Sequence, residues 1–226
     1  DANTTGASNT AMGSGALGAN TTASNNTALG NSALAANTTG TPNAAVGYYA
    51  LGANTTGNYN TAMGAYALDA NTTASSNTAF GYGSLSGCTT GGSNTAVGYH
   101  CAVNVTTGTD NVAMGTNALF SATTHNENIA IGKNAGYNCI SSQNVFVGGE
   151  GCGDAVTTGS ECVFIGSFAG TNVTTGNGNT LVGASAGSHS NSVVTSNYNS
   201  CFGKDTGQNI GTGVNNLCLG YGADVV

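Results

Sequence analysis

Charge is almost missing from this chain. Only 5% of its 226 residues are charged, against roughly a quarter in ordinary soluble domains. The basic residues are Lys133 and Lys204 alone, against nine acidic ones. Two cations cannot neutralise a phosphate backbone, so a nucleic-acid partner is excluded. The same shortage excludes an electrostatic patch for anionic lipid. No apolar run nears the length that spans a bilayer, so membrane insertion is not expected. Proline occurs once, at Pro42. Disordered polar chains are usually rich in charge and proline, and this one has neither. Helical i, i+3, i+4 patterning is absent, and Gly, Asn and Thr are poor helix formers. No signal-peptide pattern is visible. The chain opens on Asp1 rather than Met, which reads as a mature product or an excised piece.

What the chain does have is a period. A glycine recurs every 17 residues at Gly13, Gly30, Gly47, Gly64, Gly81, Gly98, Gly115 and Gly132, with looser returns at Gly148, Gly166, Gly183, Gly203 and Gly220. A fixed short period is the signature of a solenoid, each repeat one coil stacked on the last. The expected fold is all-β: a parallel β-solenoid of about 13 coils, 17 residues per coil, forming one domain over 1–226. Its coils are regular over 1–135 and irregular over 136–226.

Counting from the anchor glycine, the residue just before it is always apolar, as in Met12, Leu29, Val46, Phe80 and Ile131. Two residues earlier stands Thr or a β-branched apolar residue, as in Thr10, Thr95, Val112 and Ile129. In a strand these two positions share a face, and that face is assigned to the core. The alanines between them (Ala28, Ala45, Ala62, Ala79) then face outward, either as a tight flank of the coil or as a flat interface with other subunits. Four residues before the glycine stands Asn in twelve of thirteen coils, broken only by Cys162. Stacked identical amides can form hydrogen-bonded ladders, so this column reads as structural.

After the glycine comes a second short pair, Ala16-Leu17, Ala33-Leu34 or Ala50-Leu51. Beyond Lys133 its Leu becomes Gly, as in Ala135-Gly136, Ala169-Gly170 and Ala186-Gly187. Phe146, Phe164 and Leu181 replace the small Ala in the same region, which would fill the lost volume. A corner of the form Asn-Thr-Thr-Gly closes the coil, suggesting two short strands and two turns per coil. Ordering a residue costs roughly 1–2 kcal/mol, and burying a large apolar side chain returns about 1.5–3 kcal/mol. A coil with two or three such side chains cannot stand alone, so stacking must supply the rest. Neither end reads as a cap: Asp1-Ala2-Asn3-Thr4-Thr5 matches Asp69-Ala70-Asn71-Thr72-Thr73. Head-to-tail assembly with further copies of the chain is therefore expected.

The run Asn60-Thr-Ala-Met-Gly-Ala-Tyr-Ala-Leu-Asp-Ala-Asn-Thr-Thr resembles repeats of bacterial and phage tail-fibre-like proteins. Its Asn-Thr-Ala-apolar-Gly core is similar to the head repeats of trimeric autotransporter adhesins, which are parallel β-rolls of shorter repeat assembled as trimers. The resemblance is close over 1–135 and looser beyond. It implies an extracellular fibre or adhesin shaft, whether secreted, on a cell surface or on a virion.

Seven cysteines suit an oxidising exterior. Cys201 and Cys218 hold the same position in adjacent coils, within disulfide reach. Cys88 with Cys101 and Cys139 with Cys152 repeat one 13-residue spacing, leaving Cys162 over. Three disulfides are one reading; seven small buried residues are the other. Glycosylation sequons stand at Asn3, Asn20, Asn25, Asn37, Asn54, Asn71, Asn104 and Asn172, several on one corner of successive coils.

Catalytic chemistry is not in view. His100, His125 and His189 are scattered, and Glu150, Asp154 and Glu161 surround a Gly-rich stretch without the calcium nonapeptide pattern. No Cys-x-x-Cys pair suggests zinc. No enzyme activity, cofactor or metal is therefore expected. The leading function is a structural fibre. An adhesin that binds cell-surface glycans is the alternative, with Tyr48, Tyr49, Tyr66, Tyr82 and Tyr99 offering stacking faces. An ice-binding solenoid, displaying its Thr-Thr corners in single file, is the third.

Overall fold

A computed structural model describes residues 2–188 and 193–225. It is a parallel β-solenoid, with thirteen strands of three residues, one per coil, and no helix among the described residues. The chain divides into two compact units. The first, Asp1–Asn111, holds β1 (Thr10–Met12), β2 (Thr27–Leu29), β3 (Ala44–Val46), β4 (Thr61–Met63), β5 (Thr78–Phe80) and β6 (Thr95–Val97). The second, Val112–Val226, holds β7 (Val112–Met114), β8 (Ile129–Ile131), β9 (Val145–Val147), β10 (Val163–Ile165), β11 (Thr180–Val182), β12 (Ser200–Phe202) and β13 (Leu217–Leu219). Within each unit consecutive strands pair in parallel with like positions opposite one another, as Ala28 with Ala45 and Cys201 with Cys218. Strand starts are 17 residues apart from β1 to β8, then 16, 18, 17, 20 and 17 apart. The irregular coils thus begin where the glycine period loosens.

The third coil shows how 17 residues close on themselves. Gly47 ends β3 at φ +134°, and a Cβ there would lie 2.6 Å from the carbonyl oxygen of Gly64 in the next coil. Only glycine combines that dihedral with that approach. Three overlapping turns follow, in which Ala50, Gly52 and Asn54 donate backbone N–H to the carbonyls of Gly47, Tyr49 and Leu51. Tyr49 and Leu51 sit in the left-handed region, at φ 57° and 50°. The coil is therefore one short strand and a run of tight turns, not two strands and two turns. Most remaining backbone groups bond to the neighbouring coil, as Leu51 N–H to Ala67 O at 3.0 Å and Gly64 N–H to Val46 O at 2.8 Å.

The strand faces are the reverse of the sequence expectation. The middle alanines are fully buried (Ala28, Ala45, Ala62, Ala79, Ala96, Ala113 and Ala130), while the pre-glycine rank and the Thr rank face outward. Met63 and Ile165 are about 40% exposed. The cause is the width of the coil. The leucine of the turn (Leu34, Leu51, Leu68, Leu85) enters the same interior and is fully buried there. A small residue opposite it keeps the coil at native packing density. Later coils invert the pairing, as the sequence suggested. Gly170 and Gly187 stand where leucine stood, and a Cβ on either would run into Phe164 or Leu181 of the same coil. The glycine version also removes a leucine from the left-handed region, a conformation that costs a non-glycine residue roughly 1–2 kcal/mol.

Two amide columns complete the interior. In the column before the strand, each Asn Oδ1 accepts the backbone N–H of the Asn one coil on, as Asn60 N–H to Asn43 at 2.9 Å and Asn77 N–H to Asn60 at 3.0 Å. In the regular coils Nδ2 donates to a corner carbonyl fourteen residues on, as Asn60 to Ala74 at 2.8 Å. Cys162 interrupts the column, and its thiol donates to Gly176 O at 3.2 Å in place of the amide. At the corner, Asn20, Asn37, Asn54 and Asn71 form a second ladder, in which Asn54 Nδ2 donates to Asn37 Oδ1 at 2.9 Å and Asn71 Nδ2 to Asn54 Oδ1 at 2.8 Å. That ladder stops where Cys88 follows, leaving Asn71 Oδ1 buried without a donor.

Two sets of substitutions test this interior, each read from denaturant midpoints. Leu181→Ala is expected to lose about 2–4 kcal/mol, and Gly187→Leu alone is expected to destabilise by overpacking. The double variant, which copies the earlier coils, should lie nearer the parent than the sum of the two. Asn60→Ala strands the Asn77 N–H and removes one of the two side-chain donors to the Ala74 carbonyl, the other being Asn71 Nδ2, and should lose about 2 kcal/mol, whereas Cys162→Asn should gain about 1 kcal/mol.

Candidate functional site

The described coils pack their inward side chains against one another, and what the molecule offers to partners is sought on its outer ranks. The outward strand face carries no charged residue in any of the thirteen strands. In the first unit it alternates threonine (Thr27, Thr61, Thr78, Thr95) with one larger apolar rank. From β7 to β10 both ranks are aliphatic: Val112 and Met114, Ile129 and Ile131, Val145 and Val147, Val163 and Ile165. Sequence reasoning had placed these side chains in the core. The signal that could have turned them outward was the exchange of Ala–Leu for Phe–Gly, which marks the middle strand position and the turn leucine as sharing one interior.

The second exposed feature is an aromatic ridge in the first unit, just past the anchor glycines. Tyr48 and Tyr66 meet edge-on at 5.2 Å between centroids, Tyr66 and Tyr82 likewise at 5.8 Å, and Tyr82 stacks on Tyr99 at 5.6 Å. His100 lies 4.1 Å from Tyr99 and closes the row. Tyr49 flanks it at 6.2 Å from Tyr48. All five tyrosines are exposed. The rings partly cover one another, so the ridge presents edges and intermittent faces.

The sequons divide by burial. Asn20, Asn37, Asn54 and Asn71 are buried, and their Nδ2 atoms donate within the corner ladder and to the carbonyls of Ala23, Gly40, Gly57 and Ala74. A glycan on these nitrogens would remove those bonds and has no space in the interior, so the folded coil is at odds with glycosylation there. Asn3, Asn25 and Asn104 are exposed and Asn172 is half-buried.

All seven cysteines are buried and none is bridged in the structure. Cys201 and Cys218 are cross-strand partners, as the spacing suggested. Cys88 and Cys101 occupy different columns of the coil: Cys88 follows the corner amides, and Cys101 lies beside the position of the turn leucine. Cys139 and Cys152 are divided in the same way. The Cys88 thiol donates to Gly91 O at 3.1 Å and the Cys152 thiol to Phe164 O at 3.4 Å. Burial pushes Cys88 and Cys162 up to about 11 and Cys152 up to about 12, and it raises Cys139 and Cys201 as well. Thiols held this firmly in the neutral form are not nucleophiles near neutral pH.

The remaining titratable groups form no reactive cluster. Glu150 pairs with Lys133 of the preceding coil, which lowers its carboxyl from the usual range. Burial raises the half-buried carboxyls of Asp69 and Asp154, and it lowers His125. Glu161 is exposed. His189 lies outside the described residues. Among the described residues no group of three His, Cys, Asp or Glu is placed to hold a metal. No helix there is long and apolar enough to cross a membrane. The corner threonines split: Thr38, Thr55 and Thr72 donate their hydroxyls to the next coil's backbone, while Thr39, Thr56 and Thr73 stand exposed in single file. Compared with known proteins, the chain matches no family model, no curated protein and no solved structure.

The thiols predict a stability profile in alkali. Their folded pKa values lie above the roughly 8.5 of an unfolded cysteine. Each stabilising contribution is therefore complete below about pH 8.5 and is lost as pH rises toward 11 to 12. The urea midpoint should fall over that window, and the fall should be shallower in a Cys88→Ala, Cys162→Ala double variant.

Proposed function

We propose that the chain is a non-enzymatic structural protein: a subunit or shaft segment of an extracellular fibre, built from copies of itself. One observation carries this reading. In both units the same interior columns stack coil upon coil, and within each unit the strand register holds without a slip. Such an interior makes length and stiffness, and each added coil buries the face left open by the last. The corner amides and cross-coil backbone bonds act along the same direction, which suits a protein loaded along its axis. In an oxidising exterior, Cys201 and Cys218 are the pair whose register favours a disulfide.

The tyrosine ridge favours a second reading, an adhesin shaft that binds glycans through stacked rings. The exposed file of Thr39, Thr56 and Thr73 gives an ice-binding role less support, because half of the corner hydroxyls are engaged within the fold.

Negative-stain electron microscopy over a concentration series separates these. The fibre reading expects filaments of uniform width that lengthen with concentration. Discrete particles at every concentration, with glycan binding that Tyr82→Ala abolishes, would replace it with the adhesin reading.

A further inference from the structure

We propose that the outward face of β7 to β10 is a pairing surface for a second copy of this chain, the two sheets packing face to face. The assignment rests on the self-assembling reading above and names the lateral surface used. Eight aliphatic side chains project from this face in two files. Met114, Ile129, Ile131 and Ile165 are each close to 40% exposed, and the flanking valines are half-buried by their neighbours in the file. An unbroken apolar patch on a chain this polar marks an interaction site.

The chemistry selects the partner. The face of β7 to β10 offers no side-chain hydrogen-bond donor or acceptor, so a glycan would leave its hydroxyls unpaired there. A second copy brings files with the same rise per coil, about 4.8 Å. Side chains of the two sheets can then interdigitate along the whole face without drifting out of step, as in other paired sheets. Net charge also permits it. The chain carries a formal charge of −7, but every charged group lies outside the strands, so pairing brings no like charges into the contact. A two-fold arrangement satisfies both copies with one patch.

Size sets the strength. Four strands of three residues present a strip on the order of 190 Å² in projection. A standard interface buries about 800 Å² per partner. The pairing is thus small and weak, with a dissociation constant on the order of 0.1–1 mM, and it is not weakened by salt.

Sedimentation velocity on the whole chain, up to about 1 mM, tests this. In the parent a laterally paired dimer should appear as concentration rises, before any longer species. Ile131→Lys and Ile165→Lys should weaken pairing at least about tenfold while keeping the parent's circular dichroism and melting temperature, since both side chains point away from the core. Thr158→Lys, an exposed corner change in the same unit, should pair like the parent. A parent that stays monomeric, or lysine variants that stay folded and pair unchanged, would overturn the assignment. So would a monomeric parent that binds neutral phosphatidylcholine vesicles through the same residues. Microscopy of Ile131→Lys keeps the two ideas apart. Filaments in a parent that never pairs sink the face but not the fibre, and pairing without filaments does the opposite.

Discussion

Every column of this molecule must be able to sit on itself. One coil is too small to bury its own surface, and its backbone donors and acceptors point at the coils above and below. The stacking distance of about 4.8 Å brings like residue against like residue within each unit. That constraint selects residues whose copies attract or tolerate one another: amides that chain donor to acceptor, alanines and leucines that pack, threonines that bond the next carbonyl. It selects against charge, because a file of like charges at such spacing is destabilising. The scarcity of charge in the composition is thus a consequence of the fold. Two of the charges that do occur have a partner one coil away: Lys133 faces Glu150, and Glu127 accepts from Gln143 at 3.1 Å.

The same constraint explains why the core has two solutions and changes between them over successive coils. A leucine in the turn with an alanine in the strand, and a glycine in the turn with a phenylalanine in the strand, fill a similar cross-section from opposite walls. The first holds a leucine in the left-handed region; the second frees that position and moves the bulk to the strand. At the changeover both positions of one coil are small, Ala130 and Gly136, and Phe146 of the next coil reaches over them. A Cβ on Gly136 would lie 2.6 Å from its ring. Neighbouring coils therefore share volume, and a coil is not an independent unit of packing.

The period, the parallel β class, the anchor-glycine geometry, the amide columns and the Leu-to-Gly compensation were all legible in the chain. The inside and outside of the strand were not. Alternation separates two faces without labelling them, and the habit of placing larger apolar residues inside mislabels a three-residue strand whose single inward position faces a leucine. Relative size, read across two positions at once, carries the label: Ala28 opposite Leu34, Phe164 opposite Gly170. The burial of four sequon asparagines was hidden for a related reason. Asn37 and Asn54 have the local pattern of glycan acceptors, but the residues that occupy their nitrogens belong to other turns of the coil, 3 and 17 positions away. The carbonyl three residues on lies within a short window, but the amide of the neighbouring coil does not.

A core that must stack coil on coil has consequences for where function can reside. Interior columns are bound by the need to stack, so any property that differs between coils must be written on the outer ranks. There the chain does vary. Tyrosines gather past the glycines in the first unit, and the strand face turns from threonine and apolar to wholly aliphatic at β7. The two units thus carry different chemistry over the same kind of interior: aromatic edges suited to polar, ring-shaped partners in the first, and a dry strip suited to another sheet in the second. The outer ranks can diverge because the interior does not depend on them: the side chains of Ile131 and Tyr82 leave the buried columns of their coils untouched.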